Sequence, residues 1–203
     1  MRTFLKIFVV VVLLLVGTFV GGGYLLPGKV TMTAWQTVAA PHDHMSALVA
    51  TPQSWRLWSV WSPMLKHAQR DEVSGPTTGT GASWFLATED LSVDLAVTSF
   101  EPAARVSYEI DLMPVKVPLT AAADFYNRGR TTKVKWQVTV DVGDRIPLRW
   151  LALIVSKLAP GWYQQSIKDL AEHAKERAHE ELQDKLAAEE AALIGKEESD
   201  QAD

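Results

Sequence analysis

The sequence predicts an α+β fold: a curved antiparallel sheet wrapped around a long C-terminal helix, with a separate apolar helix ahead of both. Three observations carry this. Residues 132–142 alternate strictly, with Val134, Trp136, Val138, Val140 and Val142 opposed to Lys133, Lys135, Gln137, Thr139 and Asp141. That period of two means a sheet buried on one side only. Several further strand-like runs precede it between residues 67 and 127, with no helical periodicity among them. A sheet with one apolar face needs a cover, and only the stretch from Trp162 onward is long enough. There Tyr163, Ile167, Leu170 and Ala174 recur at helical spacing.

In chain order, residues 4–26 are apolar except for Lys6. As a helix they would extend about 30–35 Å, enough to cross a bilayer core. The apolar core is longer than that of a cleaved signal peptide and no A-x-A site follows, so an uncleaved single-pass anchor is expected. Arg2, Lys6 and the amino terminus precede the span and Lys29 stands nearly alone after it. The positive-inside rule then keeps the N-terminus cytoplasmic and places the remainder outside the cell membrane, in the periplasm if the cell has one. Leu26-Pro27-Gly28 ends the anchor. Residues 30–40 read as a strand, and Pro41 opens a short helix over HDHMSALVA. SWRLWSVWSP, residues 54–63, spaces Trp55, Trp58 and Trp61 along one face of a helical turn, between Pro52 and Pro63. It is too short to persist without packing. Residues 67–73 read as a strand and SGPTTGTG as a turn. Residues 82–88, 92–100, 105–113, 119–127 and 132–142 complete the strands. PLRWLALIVSKL, residues 147–158, is apolar but too short to span, and Pro160-Gly161 is expected to break it from the long helix. Beyond about residue 176 the apolar stripe thins to Leu182, Leu186, Leu193 and Ile194, which reads as a solvated helix fraying into disorder. The expected organisation is an anchor over 1–28, a folded body over 29–176 and an acidic tail over 177–203.

Composition narrows the functions. Of 203 residues 47% are hydrophobic, enough for a real core, and none is cysteine, which excludes disulfides, thiolate metal sites and cysteine nucleophiles. The net charge of −4 averages two unlike parts: from residue 169 on there are twelve acidic and four basic residues, before it twelve and sixteen. The basic residues are scattered, so nothing marks a nucleic-acid surface.

The chemistry-bearing residues do not assemble into a catalytic site. His42 and His44 flank Asp43, but no further histidine cluster supplies the missing ligands, and a polar first helical turn explains the trio better than a metal. The glycines of residues 74–81 do not form a phosphate-binding loop. Alternation turns Asp94, Glu109 and Asp111 away from the apolar face, where Lys133 and Lys135 are expected to pair with some of the acids, Asp124 included. Ser83, Ser92 and Ser107 have no histidine placed beside them, and His67, His173 and His179 are isolated. No catalytic residue and no cofactor is expected. What remains inside is apolar and aromatic: Met32, Trp84, Tyr108, Phe125 and Trp136 are expected on the concave wall of a cavity, with Trp58 and Trp61 at its mouth.

Several short motifs, in order, carry a resemblance. A strand ends in Ala40-Pro41; Trp55-x-x-Trp58-x-x-Trp61-Ser62-Pro63 follows; then come SGPTTGTGASW with Gly75, Pro76, Gly79, Gly81 and Trp84, FEPAARVSY with Glu101-Pro102 and Arg105-Val106, and TKVKW ending at Trp136. Over about residues 30–175 the chain resembles the START-like, helix-grip superfamily, also labelled polyketide cyclase/dehydrase or SRPBCC, and a membrane-anchored subgroup of it. The resemblance implies a deep apolar cavity between sheet and long helix. It implies little about chemistry, because the fold hosts lipid carriers, cyclases and hydroxylase domains alike. The absence of an acid/base constellation favours a membrane-anchored binding module for a lipid-like or other hydrophobic molecule. A cyclase or dehydrase, or a non-catalytic partner subunit at the membrane, is the alternative.

Overall fold

A computed structural model describes residues 2–200, and the side chains of residues 4–192. Helix α1 (Arg2–Leu25) comes first. Its segment Phe4–Leu25 has a mean hydropathy of 2.7, is long and apolar enough to cross a membrane, and is exposed along nearly all its length, Gly22 and Gly23 near its end excepted. Strand β1 (Lys29–Val38) leads to α2 (His42–Val49) and the four-residue α3 (Trp55–Trp58). Strands β2 (Arg70–Ser74), β3 (Ser83–Ala87), β4 (Ser92–Glu101), β5 (Arg105–Met113), β6 (Val117–Asn127) and β7 (Thr132–Asp141) follow, and α4 (Ile146–Asp200) closes the chain.

The seven strands form one sheet in the order β1-β7-β6-β5-β4-β3-β2, every neighbouring pair antiparallel. Hairpins connect β2 through β7 in sequence, whereas β1 returns to the far edge beside β7, with Ala34 opposite Trp136. The period of two read in residues 132–142 is real: Val134, Trp136 and Val138 are buried on the concave face. Gly75 shows why the β2–β3 connection is rich in glycine. Its φ is +77°, and a Cβ there would lie 2.2 Å from the Gly81 carbonyl oxygen. Helix α4 lies across the concave face, chiefly on β1, and α2 and α3 pack on α4 to close one end. This is the helix-grip architecture expected of the sequence.

Three expectations are corrected. Pro160 does not break the helix: α4 runs from Ile146 through it, so PLRWLALIVSKL is the first part of the gripping helix. An interior proline removes one helical hydrogen bond and crowds the carbonyl four residues back, costing about 3 kcal/mol. Ala152 and Ala159 before it and Ile167, Leu170 and Ala174 after it are all buried in the core, so both flanks are pinned and the helix continues. The strand expected over 67–73 starts later, at Arg70, because a 3₁₀ turn with Pro63 in its first turn occupies Ser62–His67. The tail is helical through Asp200. Side-chain contacts one turn apart, such as Lys175–Glu172 at 2.8 Å and Gln183–His179 at 2.9 Å, lace its surface. The side chains of Arg2, Leu193 and Ile194, and residues 201–203, lie outside the described residues.

Candidate functional site

The space between sheet and α4 is filled at one end and open at the other. At the filled end Trp55 and Trp58 are each only 2% exposed. Their rings meet at 4.8 Å between centroids, and Trp55 meets Tyr108 edge-on at the same distance. Trp136 lies 5.6 Å from Trp58 and 5.9 Å from Tyr108, and stacks on Tyr163 of α4 at 6.4 Å. These separations suit edge-to-face and offset aromatic packing. The indole N–H groups of Trp55 and Trp58 are tied into the segments that shape this end. Trp55 Nε1 donates to the Val49 carbonyl at 2.9 Å and Trp58 Nε1 to Ser54 Oγ at 3.2 Å. Ser54 Oγ in turn donates to the Leu48 carbonyl, tying α3 to the end of α2. The three-residue spacing of the tryptophans therefore builds a plug, and the plug is solid.

The open end is a cleft of about 660 Å³. Its walls are Val30 and Met32 of β1, Leu112 of β5, Val117 and Leu119 of β6, and Val140 of β7. Leu148, Leu151, Ala152, Val155 and Ala159 of α4 face them, and Ser59 to Pro63 form one rim. The polar lining is concentrated at the end nearest the aromatic plug, where Ser59, Tyr163, Gln165, Ser166 and Asp169 converge. Burial pushes the Tyr163 phenol up to about 12. Tyr108, wholly inside, is also raised, first by burial and then by the neighbouring Tyr163, with the Trp136 indole opposing. Both phenols are therefore neutral hydrogen-bonding groups at ordinary pH and not bases.

Of the six residues expected to line a cavity, only Trp61 lines this one. Trp58, Tyr108 and Trp136 are brought together, but as the plug. Trp84 sits toward the opposite edge of the sheet, where its Nε1 donates to Asp71 at 2.7 Å, and Phe125 is buried in the core without reaching the cleft. These five do not line this cleft. Large flat side chains packed against one another leave no space, and space survives where shorter Val, Leu and Ala side chains face one another across the sheet–helix gap. Met32, also expected on the concave wall, is part of it. Sequence reasoning missed Val115, Leu151, Trp162 and Tyr163. For Leu151 the signal was present in the apolar block at 147–158, too short to span yet in need of a partner.

The expected outward carboxylates are outward: Asp94, Glu109 and Asp111 are exposed. The lysines opposite do not pair with them. Lys133 Nζ lies 4.4 Å and Lys135 Nζ 5.5 Å from the centre of the Trp35 ring, and Asp124 pairs with Arg105 at 3.3 Å. The half-exposed Trp35 offers the ammonium groups a π face on their own side of the sheet. His44 lies 3.7 Å from Glu181, and among the described residues no three His, Asp or Glu side chains are grouped to hold a metal ion.

A family model described as polyketide cyclase / dehydrase and lipid transport matches residues 28–175. The chain belongs to that family. Several solved structures share its fold. A solution structure from Thermobifida fusca is 19% identical with a TM-score of 0.53, over 71% of this chain and 92% of its own. A START superfamily protein from Mycobacterium smegmatis is 13% identical with a TM-score of 0.52, over 72% and 97%. A hypothetical protein from Helicobacter pylori is 14% identical with a TM-score of 0.52, over 71% and 88%. At such identities these likenesses establish the helix-grip fold of this family member and nothing of its ligand. No curated protein matches the sequence.

Proposed function

We propose that this family member is a membrane-anchored binding module that holds a lipid-like molecule in the cleft between the sheet and α4. The observation that carries the reading is the cleft itself: about 660 Å³, apolar along most of its length, with its polar side chains gathered at one end. That volume falls within the usual range for small-molecule sites. Each Å² of apolar ligand surface removed from water contributes about 25 cal/mol, so an acyl chain needs no dedicated charge to bind. The polar end would receive a hydroxyl, carbonyl or carboxyl group, with the neutral Tyr163 phenol as a donor. Anchoring rests on α1, whose apolar window exceeds the length of a bilayer core, and Arg2 and Lys6 at its start favour a cytoplasmic N-terminus. The body over 29–176 would then face outward, with the helical tail from 177 projecting from it. A periplasm-active reporter fused after residue 175 should be active; activity of a cytoplasm-specific reporter alone would reverse the orientation.

Cyclase or dehydrase chemistry is the second reading, favoured by the family and by Tyr163 and Asp169 lining the same end of the cleft. Displacement of a fluorescent fatty acid from the detergent-purified chain separates the two. Saturable displacement by unlabelled lipids without turnover, weakened but not abolished when Tyr163 is replaced by Phe and Asp169 by Asn, supports binding. Turnover of a polyketide-type substrate that those replacements abolish supports catalysis.

A further inference from the structure

The end of α1 and the start of α4 are locked together. Arg149 is 9% exposed, although it lies in an apolar block. Its guanidinium donates to the carbonyls of Gly23, Tyr24 and Leu26 at 3.2–3.3 Å, to that of Gly143 at 2.8 Å, and to Asp144 at 2.7 Å. The last carbonyls of a helix have no partner within it, and a guanidinium there also meets the negative end of the helix dipole. Trp150 stacks on Phe19 at 5.8 Å and donates from Nε1 to the Phe19 carbonyl at 3.1 Å. Gly22 and Gly23 permit the approach, since a Cβ on Gly23 would lie 2.3 Å from Ile146. Arg145, immediately before α4, donates to the carbonyls of Val115 and Lys116 and ties in the β5–β6 turn.

From this geometry we infer that the first turns of α4 lie in the surface of the bilayer that α1 crosses, so that the cleft opens onto lipid. The inference rests on the anchoring proposed above. Phe19 is six residues before the end of α1, so Trp150 reaches back about 9 Å along that helix. In a span of about 33 Å that depth carries Trp150 just past the interfacial level, into the outer edge of the apolar layer that α1 crosses. Beyond it Leu151, Ile154, Leu158 and Trp162 fall at spacings of three, four and four, which is a single helical stripe. They are 51%, 57%, 52% and 52% exposed, a costly display in water. Leu151 and Trp162 also line the cleft, and so does the exposed Val115 across from them. The stripe is therefore the lip of the cleft, and the two arginines fix that lip to the membrane end of the molecule. A hydrophobic ligand passes between leaflet and cleft without crossing water.

The absence of cysteine makes a direct test simple. Nitroxide labels are placed singly on Ile154→Cys and Leu158→Cys of the full chain in phosphatidylethanolamine/phosphatidylglycerol nanodiscs. Val12→Cys in α1 and Glu109→Cys on the outer sheet face serve as references, and all four native side chains are exposed, so folding is not at stake. The labels at 154 and 158 should collide with oxygen and lose collision with a water-soluble nickel chelate, as at 12 and unlike at 109. Labels at 154 and 158 as open to the chelate as that at 109, with 12 in lipid, overturn this inference alone. A label at 12 in water overturns the anchoring and this inference with it.

Discussion

The two ends of the space under α4 use the same sheet and the same helix, yet one is solid and the other open. At the solid end, Trp55, Trp58, Tyr108 and Trp136 interlock at centroid distances of 4.8–6.3 Å. At the open end Val30, Leu119, Val140, Ala152 and Val155 face one another across a gap that their side chains do not fill. The contrast teaches that the number of apolar residues does not decide where a ligand fits. Side-chain volume relative to the spacing of the backbone layers decides it. The aromatic plug supplies rigidity that lets the neighbouring region remain unfilled.

The largest effect should come from breaking the solid end. Trp55→Ala removes a fully buried indole and should destabilise the protein by about 3–5 kcal/mol in urea titration of the detergent-purified chain. A change below 1 kcal/mol would mean the plug is not the stabilising element, on the usual scale of surface substitutions. Filling the open end should do the reverse. Ala152→Phe or Val140→Phe should leave stability within about 1.5 kcal/mol, because the added ring enters existing space, and should abolish binding of a fluorescent fatty acid. A loss of stability like that of Trp55→Ala would show that the cleft closes in solution.

Alkaline pH sharpens the comparison from a different side. Burial pushes the Tyr163 phenol up to about 12 and raises Tyr108 as well, whereas in the unfolded chain both ionise near 10.0, the ordinary value for tyrosine. Between those values the unfolded chain has released protons that the folded chain still binds, so stability falls as pH rises. Unfolding followed from pH 9 to 12 should show that fall, and Tyr163→Phe should make it shallower. A profile unaffected by that substitution would place Tyr163 in water. The smallest effects belong to the outer surface. Amide replacements at Glu109 or Asp111, and deletion of residues 183–203, should each change stability by no more than about 0.5 kcal/mol. A loss of several kcal/mol on deletion would show that the end of α4 docks on the body.

The same contrast explains what the sequence made legible. The sheet could be read because β7 alternates without error, and a period of two has one structural meaning. The long helix was half legible: Tyr163, Ile167, Leu170 and Ala174 announced its inner face, but Pro160 obscured its continuity, since burial on both flanks of a proline has no local signature. The site was the least legible part. Trp136 and Tyr108 are large and turned inward, which marks them as buried without saying whether they face a neighbour or a void. That depends on the distance between layers, set jointly by residues far apart in the chain. Arg149 offered a clue in the form of one charge within an apolar run, yet its partners, the last carbonyls of α1, are more than 120 residues away.

The central claim is that the open end holds a hydrophobic molecule, and native mass spectrometry of the full chain released from detergent tests it most directly. The account predicts a retained mass in the range of a single lipid-like molecule on the native chain, absent from Ala152→Phe purified in parallel. The same bare-protein mass for both, or the same adduct on both, would contradict it.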